Sequence, residues 1–199
     1  MTSPNFELAR QYVLGRLARE LAPQINYHSL AHTRDEVVPA AEEFADREGV
    51  TGEDFLLLHT AALYHDVGFV EQHDKHEAGS VRIAVATLPG FGYAPAQIEV
   101  IVGIILATEY PQQPHFLLEQ IMVDADLSIL GQADYLPRNA ALRAELAAMG
   151  RPMTDAQWYG GQLNFIRSQQ YYTAAARSLR DAQKQVNIAA MTVLLAQCE

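Results

Sequence analysis

The 199-residue sequence has little cysteine and little positive charge. Its one cysteine, Cys198, cannot form a disulfide within the chain, which excludes the disulfide-rich secreted class and favours a reducing cytoplasm. Lys and Arg number 14 against 24 Asp and Glu, so the formal net charge is −10. Because such a surface repels polyanions, we expect no binding to long nucleic acid or to anionic membranes.

Long apolar runs are missing as well. No stretch approaches the roughly 18 uninterrupted apolar residues that a membrane span requires. The first residues, MTSPNFELARQY, contain no apolar signal core. We therefore expect a cytoplasmic protein, and a chain of this length is expected to form one domain over residues 1–199.

Strand signals are scarce, whereas helix signals fill the sequence. Alternating apolar and polar patterns and Asn-Gly or Asp-Gly turns are absent, and apolar residues recur at intervals of three and four. The sequence therefore predicts an all-α, single-domain helical bundle. Helices are expected over residues 6–21, 30–48, 51–68, 76–88, 95–108, 116–122, 128–149, 154–170 and 173–196. Gly68 is expected to end the third helix in the left-handed conformation, and Gly131 or Pro137 is a candidate break in the seventh.

The segment Tyr27-His28-Ser29-Leu30-Ala31-His32 places two histidines four residues apart. On a helix, such residues share one face and can point into one cavity. In a chain with 7 histidines this pair alone is weak evidence for a site. The alternative is two solvated histidines at the start of a helix.

His65 and Asp66 end a helix that is apolar on nearly every side. Because a charged or polar group in such surroundings is costly unless it is paired or coordinates a metal, this pair is the strongest signal in the chain. The alternative is a buried His–Asp hydrogen bond with a structural role. His73-Asp74 is a second His-Asp pair, but it lies in a polar loop where nothing forces burial, so we expect it to lie outside the site.

Asp124 and Asp126 are flanked by apolar residues. Asp124 could simply cap a helix, with Asp126 in its first turn. Two imidazoles and two carboxylates from separate helices form, however, a nitrogen and oxygen set that suits Mn²⁺, Fe²⁺, Zn²⁺ or, less well, Mg²⁺. Four such ligands on an octahedral ion leave positions for water and substrate.

The order His32, His65-Asp66, Asp126 resembles the ligand pattern His…His-Asp…Asp of the HD-domain superfamily of metal-dependent phosphohydrolases. The segment YHSLAHTRDEV resembles the YHN-x-x-H-x-x-x-V segment of one branch, also seen in cyclic-nucleotide phosphodiesterases. The stretches VDADLSILG, LRAEL and QQYYTAAARSLRDAQKQ and a Trp-containing helix are similar to a bacterial branch of predicted HD phosphohydrolases. This resemblance covers roughly residues 20–195.

The resemblance implies that His32, His65, Asp66 and Asp126 bind one divalent metal, which could be Mn, Fe, Zn, Co, Ni or Mg. Asp126 is favoured over Asp124 because the last ligand of the family follows an alanine, here Ala125. Asp124 would then orient a ligand histidine or a water molecule. His28 matches the position that protonates the leaving oxygen in the phosphodiesterases.

The chain departs from the family pattern at Ser29, which replaces an asparagine, and at Phe69, which replaces a lysine that often contacts phosphate. His76 is an alternative ligand or a route to a second metal, and the following acid, Glu77, is expected to position the attacking water. A general acid at position 28 must be protonated beside a cation, so a nearby carboxylate is required; Glu77 and Asp35 are the candidates.

Three cations near the C-terminus, Arg167, Arg177 and Lys184, are candidates for clamping a phosphate over the site. Surface ion pairs are the alternative. The aromatic residues of the same region are expected in the core or at its rim: Trp158, Tyr159, Tyr171 and Tyr172. His59 is expected in the core, and His115 is expected to be exposed.

The expected function is hydrolysis of a small phosphomonoester or a nucleotide, with a metal-activated water as nucleophile. The first alternative is a catalytically slow regulatory module that binds a metal or a nucleotide. The second is a di-iron oxygenase on the same scaffold, which needs about six protein ligands; the helix ending near Thr108 offers no histidine, which argues against it. The sequence leaves open whether the chain forms a homodimer.

Overall fold

The structure is a computed structural model that describes residues 3–198. Within this range it contains α-helices and short helical turns but no strand, which confirms the predicted all-α fold. The helices are α1 Phe6–Glu20, α2 Val38–Arg47, α3 Gly52–Tyr64, α4 His76–Thr87, α5 Pro95–Leu106, α6 Leu117–Asp126, α7 Tyr135–Ala148, α8 Asp155–Ser168 and α9 Ala174–Ala196. None of these helices combines the length and the apolar character that a membrane crossing requires.

The helix α3 lies in the centre of the larger hydrophobic core. Its last eight positions are almost entirely buried, as expected for a helix that is apolar all round. It packs with Phe44 of α2, Ile101 of α5 and Ile121 of α6. A smaller core joins α7, α8 and α9 to the turn Leu127–Gly131. The predicted metal ligands therefore come from helices of the larger core, and α7 belongs to the smaller one.

The predicted helix over residues 30–48 is divided by a wide π-helical turn, His32–Val37, which precedes α2. Pro39 explains the change, because proline lacks an N–H and its ring clashes with the carbonyl four residues earlier. His32 is the first residue of this turn, whereas His28 lies in a bend before it. The prediction that both histidines share one helix face is wrong.

The helix α3 ends at Tyr64, four residues before Gly68. Gly68 is needed for a close approach: a Cβ atom there would lie 1.9 Å from the carbonyl oxygen of His76 and 2.6 Å from the backbone N of Ser80. The Ser80 hydroxyl donates to the His65 carbonyl at 2.6 Å and accepts from the Gly68 N–H at 2.8 Å. The start of α4 is thus held directly against the turn that carries His65 and Asp66.

One other predicted boundary differs from the structure, and one predicted break is confirmed. The helix predicted over 116–122 continues to Asp126, so Asp124 and Asp126 lie in the last turn of α6 and the helix-cap alternative is wrong. The helix predicted over 128–149 is broken at Gly131, one of its two candidate breaks, into a 3-10 turn, Leu127–Gly131, and α7; Pro137 lies inside α7 and does not break it.

Candidate metal centre

Four predicted ligands converge in one buried cluster, which we call the primary cluster: His32, His65, Asp66 and Asp126. The Nε2 atom of His65 lies 3.2 Å from Asp66 Oδ2 and 3.6 Å from Asp126 Oδ1. The Nε2 atom of His32 lies 3.7 Å and 3.5 Å from the same two oxygens. The four side chains come from the π-helical turn, the end of α3 and the end of α6, so the helix packing of the larger core brings them together.

The donor atoms of this cluster fit a metal ion. Among the described residues, His32 Nε2, His65 Nε2 and Asp66 Oδ2 are buried without a hydrogen-bond partner. Ligand atoms of these three residues lie within 4.8 Å of one another. Buried polar atoms are costly unless they are satisfied, and a divalent cation would satisfy all three at once. Imidazole and carboxylate donors suit Mn, Fe, Co, Ni and Zn better than Mg.

Without a cation, protons compensate the charge of this cluster. Burial lowers the pKa of His32, but the carboxylates of Asp126 and Glu36 outweigh burial and raise it to about 9. Burial also lowers the pKa of His65, and the adjacent Asp66 and Asp126 raise it well above its ordinary value. Burial raises the pKa of Asp66, yet His65 holds it well below the usual range. A metal ion and protons therefore compete for the same nitrogens.

A contact to Nδ1 fixes the orientation of each of the two histidines that are predicted as ligands. His65 Nδ1 donates to the Ala62 carbonyl at 2.8 Å, and His32 Nδ1 lies 3.1 Å from Glu36 Oε2. Arg138 of α7 donates to the same Glu36 oxygen at 2.7 Å. These contacts direct both Nε2 atoms into the cluster, as partners of metal-binding histidines do. Glu36 was missed in the sequence, although its spacing of four residues from His32 is a usable signal.

Asp66 also faces α4 with its second oxygen. Its Oδ1 lies 3.2 Å from His76 Nε2, which is 3.4 Å from Glu77 Oε1. Burial lowers the pKa of His76, but Asp66 outweighs burial and raises it. The structure thus places His76 against a predicted ligand and Glu77 one side chain farther away.

The carboxylate beside His28 is neither of the two that we expected. His28 Nδ1 lies 2.6 Å from Oε1 of Glu145, a fully buried residue of α7. Glu145 Oε2 accepts from the backbone N–H of Tyr27 at 2.7 Å and of His28 at 3.2 Å. The expectation for Asp35 is wrong because Asp35 pairs with Arg34 at the surface. Burial raises the pKa of Glu145, and the hydrogen bonds from His28 and the backbone reverse this shift and lower it.

His73 is not isolated in a polar loop, which corrects our expectation. Its Nε2 lies 3.9 Å from Glu145 Oε1 and is buried without a hydrogen-bond partner in residues 3–198. The loop is held inward because Asp74 forms an ion pair with Arg151 at 2.7 Å and Phe69 packs edge-on against the His73 ring. Ligand atoms of His28, His73 and Glu145 lie within 4.8 Å of one another. We call this group the secondary cluster.

Phe69 lies between the secondary cluster and His76, which contacts Asp66 of the primary cluster. Its ring stacks on His28 with 4.3 Å between centroids and on His76 with 4.0 Å. The ring centroids of His28 and His32 are 6.0 Å apart. Phe69, which stands where the family pattern often has a lysine, thus holds the His28 imidazole close to His32 of the primary cluster.

Asp124 contacts the start of α9 and not a ligand. Its oxygens accept from the backbone N–H groups of Tyr172 and Thr173, both at 2.8 Å, and from the Thr173 hydroxyl at 2.7 Å. Burial raises the pKa of Asp124, although these hydrogen bonds oppose the shift. The expected role in orienting a ligand histidine or water is therefore replaced by a structural anchor between α6 and α9.

The three cations predicted to clamp a phosphate surround a different pocket, of about 380 Å³, on α8 and α9. Arg177 donates to the carbonyls of Tyr171 and Tyr172, and Lys184 donates to the Gln169 carbonyl. Arg167 contacts the Thr192 hydroxyl at 3.2 Å. Arg177 and Lys184 thus stabilise the loop between α8 and α9, and Arg167 joins α8 to α9, so the predicted clamp over the metal centre is wrong.

The remaining aromatic predictions agree with the structure in most cases. Trp158 and Tyr171 are buried, Tyr172 is at the surface rim, and His115 is exposed. His59 lies at the edge of the core, 3.1 Å from a Glu42 oxygen.

Comparisons with known proteins show the fold. No protein-family model and no curated protein matches the chain. The chain is similar to the crystal structure of a predicted HD superfamily hydrolase from an uncultured Thermotogales bacterium. The two are 18% identical, the match covers 95% of this chain and 92% of that chain, and the TM-score is 0.64. At this identity the likeness shows a shared fold, which is the fold that the sequence resemblance implies.

Proposed function

We propose that this chain is a metal-dependent phosphohydrolase of the HD-domain type that acts on a small phosphomonoester or nucleotide. The observation that carries the proposal is the primary cluster, where buried imidazole and carboxylate atoms converge with no other partner in the described chain. The order of these residues in the sequence resembles the HD pattern, and the fold agrees with it. We also propose a cytoplasmic location, supported by the single cysteine.

In this proposal His32, His65, Asp66 and Asp126 hold a divalent cation. When bound, such a cation supplies Lewis acidity, which makes a water molecule more acidic and stabilises negative charge on a phosphoryl oxygen. Glu36 and the Ala62 carbonyl keep both imidazoles in the tautomer that binds through Nε2. His76 is an alternative ligand, because it faces the second oxygen of Asp66.

His28 protonates the leaving oxygen. Its Nδ1 is engaged by Glu145 at 2.6 Å, so Nε2 is the nitrogen that can transfer a proton to substrate. The hydrogen bond from Nδ1 to the buried Glu145 carboxylate and the stacking on Phe69 together limit rotation of the ring. Glu145 is thus a positioning residue for the proposed acid.

Glu77 positions the attacking water. Its carboxylate is largely buried and lies 3.4 Å from His76 Nε2, which contacts Asp66 in turn. A carboxylate at this place can accept a hydrogen bond from a water molecule beside the primary cluster.

A slow regulatory module is the second candidate function, and Phe69 is the observation that favours it. The side chain stacks on two imidazoles at a position where the family often has a phosphate-binding lysine. A centre that keeps its ligands but contacts phosphate less strongly would bind a nucleotide and turn it over slowly.

Elemental analysis of the purified protein, followed by a panel of phosphomonoesters and nucleotides assayed with the metal that is found, tests the proposal. We expect about one tightly bound metal per primary cluster and chelator-sensitive hydrolysis. Hydrolysis that persists in excess chelator with no metal detected contradicts it. Bound metal with tight nucleotide binding and no turnover on any ester supports the regulatory alternative instead.

A further inference from the structure

We propose that the secondary cluster, formed by His28, His73 and Glu145, is a second cation site, that it takes Zn²⁺, and that its occupation inhibits the enzyme. The inhibitory effect rests on the function proposed above, whereas the binding itself does not.

The donor set is that of a zinc site. His28, His73 and Glu145 each offer one ligand atom, and these three atoms lie within 4.8 Å of one another. His28 Nδ1 lies 2.6 Å and His73 Nε2 lies 3.9 Å from Glu145 Oε1. Two histidines and one glutamate are a known ligand set for zinc, with water in the fourth position. The His73 Nε2 atom is buried and has no partner within residues 3–198, so a cation would satisfy it.

The three donors are held in place before any ion binds. Glu145 is fixed by the backbone N–H groups of Tyr27 and His28, at 2.7 Å and 3.2 Å. Phe69 stacks on the His28 ring and packs edge-on against the His73 ring. The ion pair between Asp74 and Arg151 fastens the loop that carries His73 to the segment after α7. Little conformational entropy is therefore lost on binding.

The nature of the donors selects the ion. Mg²⁺ and Ca²⁺ prefer cages of oxygen ligands, and this cluster offers two nitrogens and one carboxylate. Zn²⁺ accepts such a set in tetrahedral geometry, which needs few protein ligands. His28 Nδ1 and Glu145 Oε1 form a hydrogen bond at 2.6 Å, so Zn²⁺ must displace the proton of that bond to bind both atoms.

This displacement connects the site to catalysis. An imidazole whose Nδ1 binds a cation cannot also carry the second proton that makes it an acid. The first equivalent of metal is expected to activate the enzyme at the primary cluster, and a second equivalent of zinc is expected to remove the proton donor.

The binding is tested by equilibrium dialysis of the purified full chain against zinc, with metal counted by elemental analysis. We expect the wild type to bind two equivalents of zinc. His73→Asn and His65→Ala should each bind one, because each removes a ligand of one cluster, and the variant with both substitutions should bind none. His76→Asn separates this site from one built on His76 and Asp66, and it should still show the equivalent that depends on His73. His115→Asn is the control for an exposed histidine.

A second variant, His73→Gln, repeats the test. The proposal is overturned if the wild type binds only one equivalent of zinc, or if His73→Asn and His73→Gln both still bind two. Far-ultraviolet circular dichroism shows whether each variant folds. Because His73 lies in a loop, we expect both substitutions to fold, and if only one folds, its zinc content decides.

The inhibition is measured against the rate of each variant with one equivalent of zinc. In the wild type the second equivalent should slow hydrolysis of an alkyl phosphate by at least about tenfold and at most by the about 10²–10⁴-fold that a general acid contributes. His73→Asn should lose most of this inhibition. Equal inhibition in both proteins overturns the inhibitory role, and a protein that hydrolyses no ester but binds two equivalents contradicts the proposed function alone.

Discussion

The primary and the secondary cluster differ in how far apart their residues lie in the sequence. In the primary cluster two ligands, His65 and Asp66, are neighbours in sequence at the end of an apolar helix, where their cost of burial is visible. In the secondary cluster the decisive partner of His28 is Glu145, which is 117 residues away. A buried polar pair within one segment can be recognised from the sequence, whereas a pair formed by two distant segments depends on how the helices pack.

The largest expected effect comes from removing a ligand of the primary cluster. Asp126→Ala should lose its metal and its hydrolytic activity together, because the remaining donors hold a divalent ion weakly. It should also lose the stabilisation that the metal gives, which is about 2.7 kcal/mol when free metal exceeds its Kd by about 100-fold. Elemental analysis, a phosphoester assay and thermal unfolding measure the three effects.

Asp124→Asn is the matched control, because Asp124 is two residues away but bonds to the start of α9. It should keep the metal and lose stability, by about 1–3 kcal/mol for a buried hydrogen-bonded group. Metal loss in Asp124→Asn together with metal retention in Asp126→Ala would reverse the assignment of the two acids.

The next effect separates the clusters by their chemistry. His28→Ala should keep the metal of the primary cluster and slow hydrolysis of an alkyl phosphate by about 10²–10⁴-fold. It should slow para-nitrophenyl phosphate much less, because that leaving group needs no proton. Steady-state rates on the two substrates provide the measurement. Equal losses on both substrates, or loss of the metal from the primary cluster, would show that His28 is a structural residue or a ligand of that cluster and not the acid.

The helix content and most helix positions follow from the sequence because apolar residues recur at helical intervals. The breaks do not follow in the same way. Pro39 produces a π-helical turn inside the predicted helix. Gly68 allows α4 to approach closely and does not end α3. Both outcomes depend on what packs against the residue, which single-segment patterns do not contain.

The candidate site shows the same limit. The residues of the primary cluster could be named because their spacing resembles a family pattern and because His65 and Asp66 are costly to bury alone. Glu145 could not, since a glutamate in a long helix ordinarily faces solvent. The polar neighbours of His73 predict a position outside the site, yet the ion pair between Asp74 and Arg151 and the contact with Phe69 hold the loop inward.

Smaller effects are expected from the two carboxylates that contact a histidine Nδ1 atom, Glu36 beside His32 and Glu145 beside His28. Glu36→Gln should weaken metal binding by about 10–100-fold, because Glu36 accepts from His32 Nδ1 and keeps it a good ligand. Glu145→Gln should leave the affinity of the primary cluster unchanged and slow only the substrates that need a proton. Isothermal titration with the native metal and the two-substrate assay distinguish them. Weaker metal binding at the primary cluster in both variants would mean that the clusters act as one site.

The smallest expected effect is a pH dependence of stability that differs between the metal-free and the metal-loaded protein. Without metal, Asp126 and Glu36 outweigh burial and raise the pKa of His32 to about 9, against about 6.5 in an unfolded chain. Protonated His32 and its two carboxylates therefore stabilise the metal-free fold fully below about pH 6.5, and this stabilisation is lost as pH rises through about 9. The raised pKa of His65 acts in the same direction.

In the metal-loaded protein the cation has already displaced these protons, so this loss is absent and metal affinity rises with pH instead. The Tm difference between the two forms should therefore widen by a few degrees from pH 6.5 to 9, given that about 1 kcal/mol shifts Tm by about 2–4 °C at this chain length. Glu36→Gln removes one of the carboxylates that raise the pKa of His32, so its metal-free form should lose less stability over the same range. A constant or narrowing difference in the wild type would show that the nitrogens of the primary cluster do not exchange protons for metal.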